Sequence, residues 1–111
     1  MKHDMRLNDG PFKKIKEGTK TIELRLYDEK RQLLHENDLI LFKNRTADEE
    51  LLVEIIKLHK YPSFEELYKH FDKISMGYSE NEEANPKDME EYYSIEEQEK
   101  YGVVGIEIKK R

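Results

Sequence analysis

The chain has 111 residues, enough for one domain with a single core. Charged residues make up 41% of it, hydrophobic residues 36%, and the net charge of -5 argues against a generally basic nucleic-acid binder. There is no cysteine, so disulfides and thiolate metal sites are excluded.

The apolar runs are only a few residues long, and the first six residues lack the apolar stretch of a signal peptide. We therefore expect a soluble, cytoplasmic protein with a single domain over residues 1–111 and no membrane association. The four histidines are scattered without ligand-like spacing, so we expect no metal site and no cofactor.

A short helix followed directly by a strand is the first predicted structure. Pro11 to Glu17 is typical of a helix with Pro11 at its first position, and Gly18 is placed to end it. The strand Thr21 to Tyr27 follows, with apolar residues alternating with polar ones.

Two further strands are predicted after a charged turn over residues 28–34. Asn37 and Asp38 suit a turn because both side chains bond their own backbone and tolerate positive φ. The apolar run Leu39 to Phe42 and the β-branched run Leu51 to Lys60 then favour an antiparallel hairpin.

The second half of the chain predicts short helices and a closing strand. Ser63 and Ser94 each begin a capping-box pattern, and the helix after Ser63 is predicted to carry an apolar stripe from Phe64 to Phe71. Pro86 is placed to open a further helix that carries Tyr92 and Tyr93. Residues 74–85 are the least regular part, and Val103 to Ile108 reads as a strand.

These elements predict an α+β fold. Because the helices connect the strands unevenly, a small curved or partly closed β-barrel with short peripheral helices fits better than a doubly wound parallel sheet.

Charge is distributed unevenly along the chain. Residues 80–99 contain nine acids and one base, which leaves 19 bases against 16 acids in the remainder. The simplest interpretation of the acidic segment is a pair of solvated helix faces, while a local basic patch remains available elsewhere.

The strand over residues 21–27 carries the candidate site. Ile22, Leu24 and Leu26 point to one face, so Glu23 and Arg25 point to the other, close to Lys20. Such a row is either a solvated face, with Glu23 and Arg25 paired and Lys20 exposed, or one wall of a polar pocket.

Two motifs resemble the ASCH family. They are Gly18-Thr-Lys20-Thr-Ile-Glu23-Leu-Arg25 and Asn37-Asp38-Leu-Ile-Leu-Phe42, with asparagine where the family usually has glycine. Tyr61-Pro-Ser-Phe64, the Tyr92-Tyr93 pair and the closing strand look like the second half of the same family. The resemblance implies a PUA-like barrel with a cleft beside the first motif, and a role with RNA or nucleosides.

The same resemblance implies candidate roles for individual residues. Lys20, Glu23 and Arg25, with Tyr93 as a stacking surface, would bind the ligand. Some small ASCH members hydrolyse N4-acetylcytidine with a lysine at the Lys20 position and a threonine where this chain has Glu23. A catalytic set here would be Lys20, Glu23 and an acid from the second half, either Glu83 or its neighbour Glu82.

Three functions follow as expectations. The first is an RNA- or modified-nucleoside-binding domain, and the second is an amidohydrolase acting on N4-acylated cytidine. The third is a protein-interaction module that uses the acidic C-terminal helices. The oligomeric state is left open by the sequence.

Overall fold

One five-stranded sheet organises the molecule, and the computed structural model describes all residues 1–111. The strands are β1 (Lys2–Leu7), β2 (Ile22–Leu26), β3 (Leu39–Asn44), β4 (Glu50–Tyr61) and β5 (Val103–Lys110). The helices are α1 (Asp9–Glu17), α2 (Phe64–Leu67), α3 (Lys73–Met76) and α4 (Ile95–Tyr101), with 3₁₀ turns at Arg31–Leu33 and Pro86–Glu91. None of these helices has the length and apolar character needed to cross a membrane.

The strand order β1-β3-β4-β5-β2 leaves β1 and β2 as the two edges of the sheet. β1 pairs in parallel with β3, and the other neighbours are antiparallel. β4 pairs with β3 through its first half and with β5 along most of its length, and its register with β5 shifts between Ile55 and Lys57. Because an irregularity of this kind bends a strand, it helps the sheet curl into a half-barrel. The expected α+β, PUA-like curved barrel is confirmed.

The two faces of the curled sheet bury separate hydrophobic clusters. Inside the half-barrel, α1 contributes Phe12 and Ile15 to a cluster with the inward side chains of β1, β3, β4 and β5. Outside, Ile22, Leu24 and Leu26 of β2 pack with Phe64, Leu67 and Met76 of the small helices. β2 therefore lies between two layers.

Several local predictions are confirmed. Gly18 ends α1 with φ 93°, and Asn37 adopts φ 74°, the left-handed conformation that asparagine tolerates. The hairpin of β3 and β4 forms in antiparallel register. Ser94 and Glu97 complete a reciprocal capping box at the start of α4.

Other predicted boundaries are wrong. β1 was not expected, because its only apolar residues are Met5 and Leu7. It forms because it pairs with β3. α1 begins at Asp9, so Pro11 occupies its third position, where a missing N–H still costs nothing. α2 stops at Leu67, and the 3₁₀ turn from Pro86 ends before Tyr92 and Tyr93.

Candidate functional site

A cleft of about 400 Å³ opens where the two edge strands of the half-barrel approach each other. The end of β1, the start of α1 and the middle of β2 line one side of this cleft. The segment from Met76 to Tyr93, which includes α3's end and the 3₁₀ turn, lines the other side. No backbone ladder joins β1 to β2, so the opening of the barrel itself forms the cleft.

β2 places Glu23 and Arg25 on the inner face of the half-barrel. In the antiparallel register Glu23 lies opposite Ile106 and Arg25 opposite Val104, and both of those partners belong to the inner cluster. Cross-strand partners share a face of the sheet, so the charged row of β2 continues the core surface at its open seam.

Lys20 is buried, with 5% of its surface exposed, and its ammonium has three acceptors. Nζ donates to the carbonyls of Ile22 at 2.8 Å and Met76 at 2.9 Å, and it lies 3.3 Å from Oε1 of Glu23. The two carbonyls accept hydrogen bonds from the ammonium, and the Glu23 carboxylate pairs with its charge. Lys20 therefore ties the turn after α3 to β2.

Glu23 is equally buried and lies between two cations. Its Oε2 accepts a 2.7 Å hydrogen bond from Nε of Arg25, and its Oε1 faces Lys20. Nη2 of Arg25 also donates to the carbonyl of Arg6 at 2.9 Å, which links β2 to β1 across the open seam.

Burial and charge set the protonation of the cluster. Burial lowers the pKa of Lys20 below its ordinary value, although the Glu23 carboxylate opposes this shift. Burial alone would raise the pKa of Glu23, but Lys20 and Arg25 together outweigh it and hold that pKa below its ordinary value. Burial would lower the pKa of Arg25, yet Glu23 and the Tyr93 hydroxyl hold it above its usual range. Burial therefore decides the direction for Lys20, whereas charge pairing decides it for Glu23 and Arg25.

The structure brings Lys20, Glu23 and Arg25 together at the floor of the cleft. A solvated face with an exposed Lys20 is the interpretation it contradicts, because all three side chains are at most 11% exposed. The reason is that Glu23 and Arg25 face the interior of the half-barrel, where Arg25 also bonds to β1, and that Lys20 bonds to the end of α3. The outer face of β2 is covered by α2 and α3, so neither face of this strand is open to bulk water.

The two tyrosines differ in their surroundings. Tyr93 lines the cleft but stacks on Phe64, with ring centroids 5.9 Å apart, and is half-buried. Tyr92 also lines the cleft and is 59% exposed, so its ring is available to a ligand. The ring most suited to stacking a base is thus Tyr92, beside the Tyr93 that we expected from the sequence.

The two candidate acids of the second half, Glu82 and Glu83, differ in whether they line the cleft. Glu82 lines the cleft and lies 3.8 Å from Nζ of Lys14, whereas Glu83 is exposed and does not line the cleft. Asp88 and Glu91 line the same side as Glu82. Part of the acidic segment is therefore a wall of the cleft, which differs from the expected solvated helix faces.

The segment that forms this wall is held by specific bonds. Lys14 donates to the carbonyl of Gly77 at 2.6 Å, and the Tyr78 hydroxyl donates to Asp88 at 2.7 Å. Tyr78 also lies 3.0 Å from the Tyr68 hydroxyl. Burial, together with Tyr68 and Asp88, raises the pKa of Tyr78 far above its ordinary value, so this phenol stays protonated.

Sequence reasoning missed several cleft residues. Arg6 and Arg45 line the cleft because β1 and β3 end side by side, and Lys14 reaches it from α1. No pattern in the sequence marked Arg6, since β1 itself was not expected. The one cleft residue that the sequence could have indicated is Gly77, because an isolated glycine often marks a backbone turn. In the structure Gly77 has φ 108°, and its lack of a Cβ leaves room for Lys20.

The chemistry available to the cleft is hydrogen bonding, charge pairing and stacking. No group of three or more histidine or acidic side chains is arranged to hold a metal ion. The volume falls in the range of roughly 300–1,000 Å³ usual for small-molecule sites. A buried polar floor, an aromatic ring and walls of opposite charge suit a polar, planar ligand.

Comparisons with protein families and with solved structures agree with one another. A family model described as the ASCH domain matches residues 5–111. The crystal structure of a hypothetical protein, PH0355, is 31% identical, with full coverage of both chains and a TM-score of 0.84. The solution structure of protein PF0455 from Pyrococcus furiosus is also 31% identical, covers 99% of this chain and 97% of its own, and has a TM-score of 0.72. A search among curated proteins gave no match.

Proposed function

Because this chain belongs to the ASCH domain family, we propose that it binds RNA or a modified nucleoside in the cleft beside β2. Family membership suggests RNA binding or a related function in general terms, and the cleft supplies the specific hypothesis. The observation that carries it is the buried cluster of Lys20, Glu23 and Arg25 at the floor of a cleft of about 400 Å³.

The contacts of the cluster support binding over catalysis. Lys20 already donates to two carbonyls and pairs with Glu23, so a substrate that used its ammonium would have to displace one of these contacts. Glu23 is held ionised by two cations, which suits it to orient neighbours or to accept from a ligand amine. Tyr92 adds a face on which a base can stack, a contact worth about 1–3 kcal/mol per base.

Tyr92→Ala gives the cleanest test of this site, because the side chain is exposed and its loss should leave the fold intact. We expect this variant to bind a short single-stranded RNA or N4-acetylcytidine about fivefold or more weakly, measured by calorimetric titration. The matched control is Leu33→Ala, an apolar side chain of similar exposure, 62%, that does not line the cleft. Equal binding by both variants would remove Tyr92 from the site, and absence of binding by the unmodified protein would remove the proposed function.

Lys20→Ala and Arg25→Ala probe the floor of the same cleft. Both should weaken ligand binding more than Tyr92→Ala does, since each removes a buried cation that shapes the floor. Circular dichroism must accompany the titration, because both side chains also stabilise the fold. A folded variant of either residue that binds normally would contradict the assignment of the floor.

Hydrolysis of an N4-acylated cytidine is the second candidate. The lowered pKa of Lys20 and the presence of Glu82 on the facing wall favour it, since a carboxylate can activate water for attack on the acyl carbon. Water would add to that carbon, the C–N bond would break, and acetate and cytidine would leave.

Incubation of the purified protein with N4-acetylcytidine, followed by chromatography for cytidine, tests this candidate. If the reaction occurs, Glu82→Gln should slow it strongly, and Glu83→Gln should serve as the control because its side chain does not line the cleft. No cytidine at high protein concentration would eliminate hydrolysis and leave the binding proposal intact.

A further inference from the structure

We propose that the cleft takes a phosphorylated ligand, with the phosphate bound between Arg6 and Arg45 at its mouth. This inference rests on the proposed function and narrows it from a nucleoside to a nucleoside phosphate. It assigns a role to two residues at the ends of neighbouring strands that no sequence motif identified.

Some of the basic side chains that line the cleft are bonded to other protein groups, and others are not. Lys14, Lys20 and Arg25 all bond to protein carbonyls or carboxylates. The guanidinium groups of Arg6 and Arg45 make no hydrogen bond or ion pair with the protein, and both residues are exposed. Two arginines without internal partners are thus the donors that a bound anion would meet.

The sheet register explains why these two residues come together. β1 and β3 run in parallel, with Leu7 opposite Asn44, so Arg6 and Arg45 lie near the same end of the sheet. The backbone N–H of Arg45 donates to the carbonyl of Leu7 at 2.8 Å, which fixes the start of the loop after β3 to β1. Arg25 donates to the carbonyl of Arg6, so the same point is also tied to the cleft floor.

The charges of the two walls give the ligand an orientation. Arg6 and Arg45 lie at the β1 and β3 ends, while Glu82, Asp88 and Glu91 come from the facing acidic segment. Five bases against four acids line the cleft, in a chain whose net charge is -5. An anionic group is therefore favoured only at the arginine side, and guanidinium groups match phosphate oxygens in a fork geometry.

The experiment compares each of the four common nucleosides, and N4-acetylcytidine, with its 5′-monophosphate by calorimetric titration at fixed ionic strength. A short single-stranded RNA of each base forms a parallel arm. We expect the phosphate to strengthen binding by roughly tenfold to a hundredfold, the gain that hydrogen bonds to a charged group provide. The double variant R6Q/R45Q should lose this gain and keep the nucleoside affinity.

The control is K30Q/K57Q, which removes two positive charges from exposed positions outside the cleft. This control variant should show the same increase in affinity from nucleoside to monophosphate as the unmodified protein. If monophosphates bind more tightly than nucleosides, the ligand phosphate is that of a free nucleotide. If only RNA binds more tightly than nucleosides, the phosphate is a phosphodiester within an RNA strand.

Equal binding of nucleosides and monophosphates, with no gain for RNA, would overturn this inference while leaving nucleoside binding in place. A gain that survives in R6Q/R45Q would overturn the assignment to these arginines. If neither nucleosides, monophosphates nor RNA bind, both this inference and the proposed function are wrong.

Discussion

Glu23 is the residue on which the cleft floor depends. One carboxylate is the shared counter-ion of two buried cations, at 3.3 Å from Lys20 and 2.7 Å from Arg25. Isolated charges are costly to bury, so the three side chains are stable only as a set. In this chain the same three residues form the cleft floor and hold β1, β2 and α3 together.

Glu23→Gln should therefore destabilise the protein by about 3–5 kcal/mol, because it leaves two buried cations without a counter-ion. Lys20→Met should cost less, since the Glu23–Arg25 pair would remain neutral overall. Urea unfolding measures both, and Glu66→Gln, in an exposed pair with Lys69, is the control that should change little. A Glu23→Gln protein as stable as the control would show that the buried pairing is not needed for stability.

Gly77→Ala tests the close packing over Lys20. The backbone there has φ 108°, and an added Cβ would lie 3.1 Å from Cδ of Lys20. We expect a loss of more than about 1 kcal/mol, measured by thermal or chemical unfolding. Gly10→Ala is the matched control in α1, where a Cβ meets nothing within 4 Å and a neutral or stabilising effect is expected. Equal stability of the two variants would mean that the turn after α3 tolerates a side chain.

Asp38 gives a prediction about acid stability. The hydrogen bond from His3 is the main cause that lowers the pKa of Asp38 to about 2, with help from the backbone N–H of His35. Because the pKa is lower in the folded protein, this stabilisation is present above the ordinary value near 3.8 and is lost as the pH falls toward 2. The free energy of unfolding should thus fall over that window, and the fall should be shallower in Asp38→Asn. Identical pH profiles would assign acid unfolding to other carboxyl groups.

At the scale of elements, the short helices position the cleft through single polar bonds. Gln98 of α4 is buried, accepts the backbone N–H of Phe64 at 3.1 Å and donates to the carbonyl of Tyr93 at 3.2 Å. One side chain therefore joins the start of α2 to the tyrosine beside Arg25. No periodicity marks such a residue, since a glutamine in an acidic helix reads as solvent-exposed.

Gln98→Met keeps the length of the side chain and removes both bonds. It leaves a buried N–H without a partner, which should cost about 1–3 kcal/mol in urea unfolding. Ligand binding should also weaken, because Tyr93 loses its anchor. Ser94→Ala, which removes only the cap of α4 at about 1 kcal/mol, separates loss of the helix from loss of the link. Normal binding in a destabilised Gln98→Met protein would show that Tyr93 is held by Phe64 alone.

At the scale of the whole molecule, charge limits how a nucleic acid can bind. A net charge of -5 opposes long-range attraction of RNA, and three acids of the segment 80–99 stand on one wall of the cleft. Contacts with phosphate should therefore be few and confined to the arginine side. An extended basic track along the surface would produce a different salt dependence.

The salt dependence of RNA binding follows from this distribution. Two phosphate contacts predict a slope of about -1.4 for log affinity against log salt with single strands. R6Q/R45Q should flatten the slope, and fluorescence anisotropy at several salt concentrations measures it. A slope several times steeper, unaffected by that variant, would place the phosphate contacts outside the cleft.

The acidic segment is also the surface on which the alternative hypothesis, a protein-interaction module, depends. Glu90, Glu96 and Glu99 are exposed and do not line the cleft. Neutralising them should leave RNA or nucleoside binding unchanged or slightly stronger. Loss of binding in that variant would move the functional surface from the cleft to the acidic surface of the Pro86–Glu91 turn and α4.

Local chemistry made much of the fold predictable. The glycine after α1, the asparagine at φ 74°, the capping box of α4 and the hairpin of β3 and β4 all follow from preferences of a few adjacent residues. The boundaries of α2 and of the turn at Pro86 did not follow, because the outer cluster and its tyrosines, and not helical periodicity, decide where those segments end.

The order of residues along β2 is enough to predict that Lys20, Glu23 and Arg25 are close together and that the apolar side chains of this strand face away from them, since both depend on strand geometry alone. The burial of both faces of β2, the choice of Glu82 over Glu83 in the cleft lining, and the position of Arg6 and Arg45 at the cleft mouth became visible only in the folded chain. They could not be predicted because they depend on pairing between segments far apart in the chain. A parallel strand with two apolar residues acquires its place from β3, and the cleft exists because the sheet curls until its two edges meet.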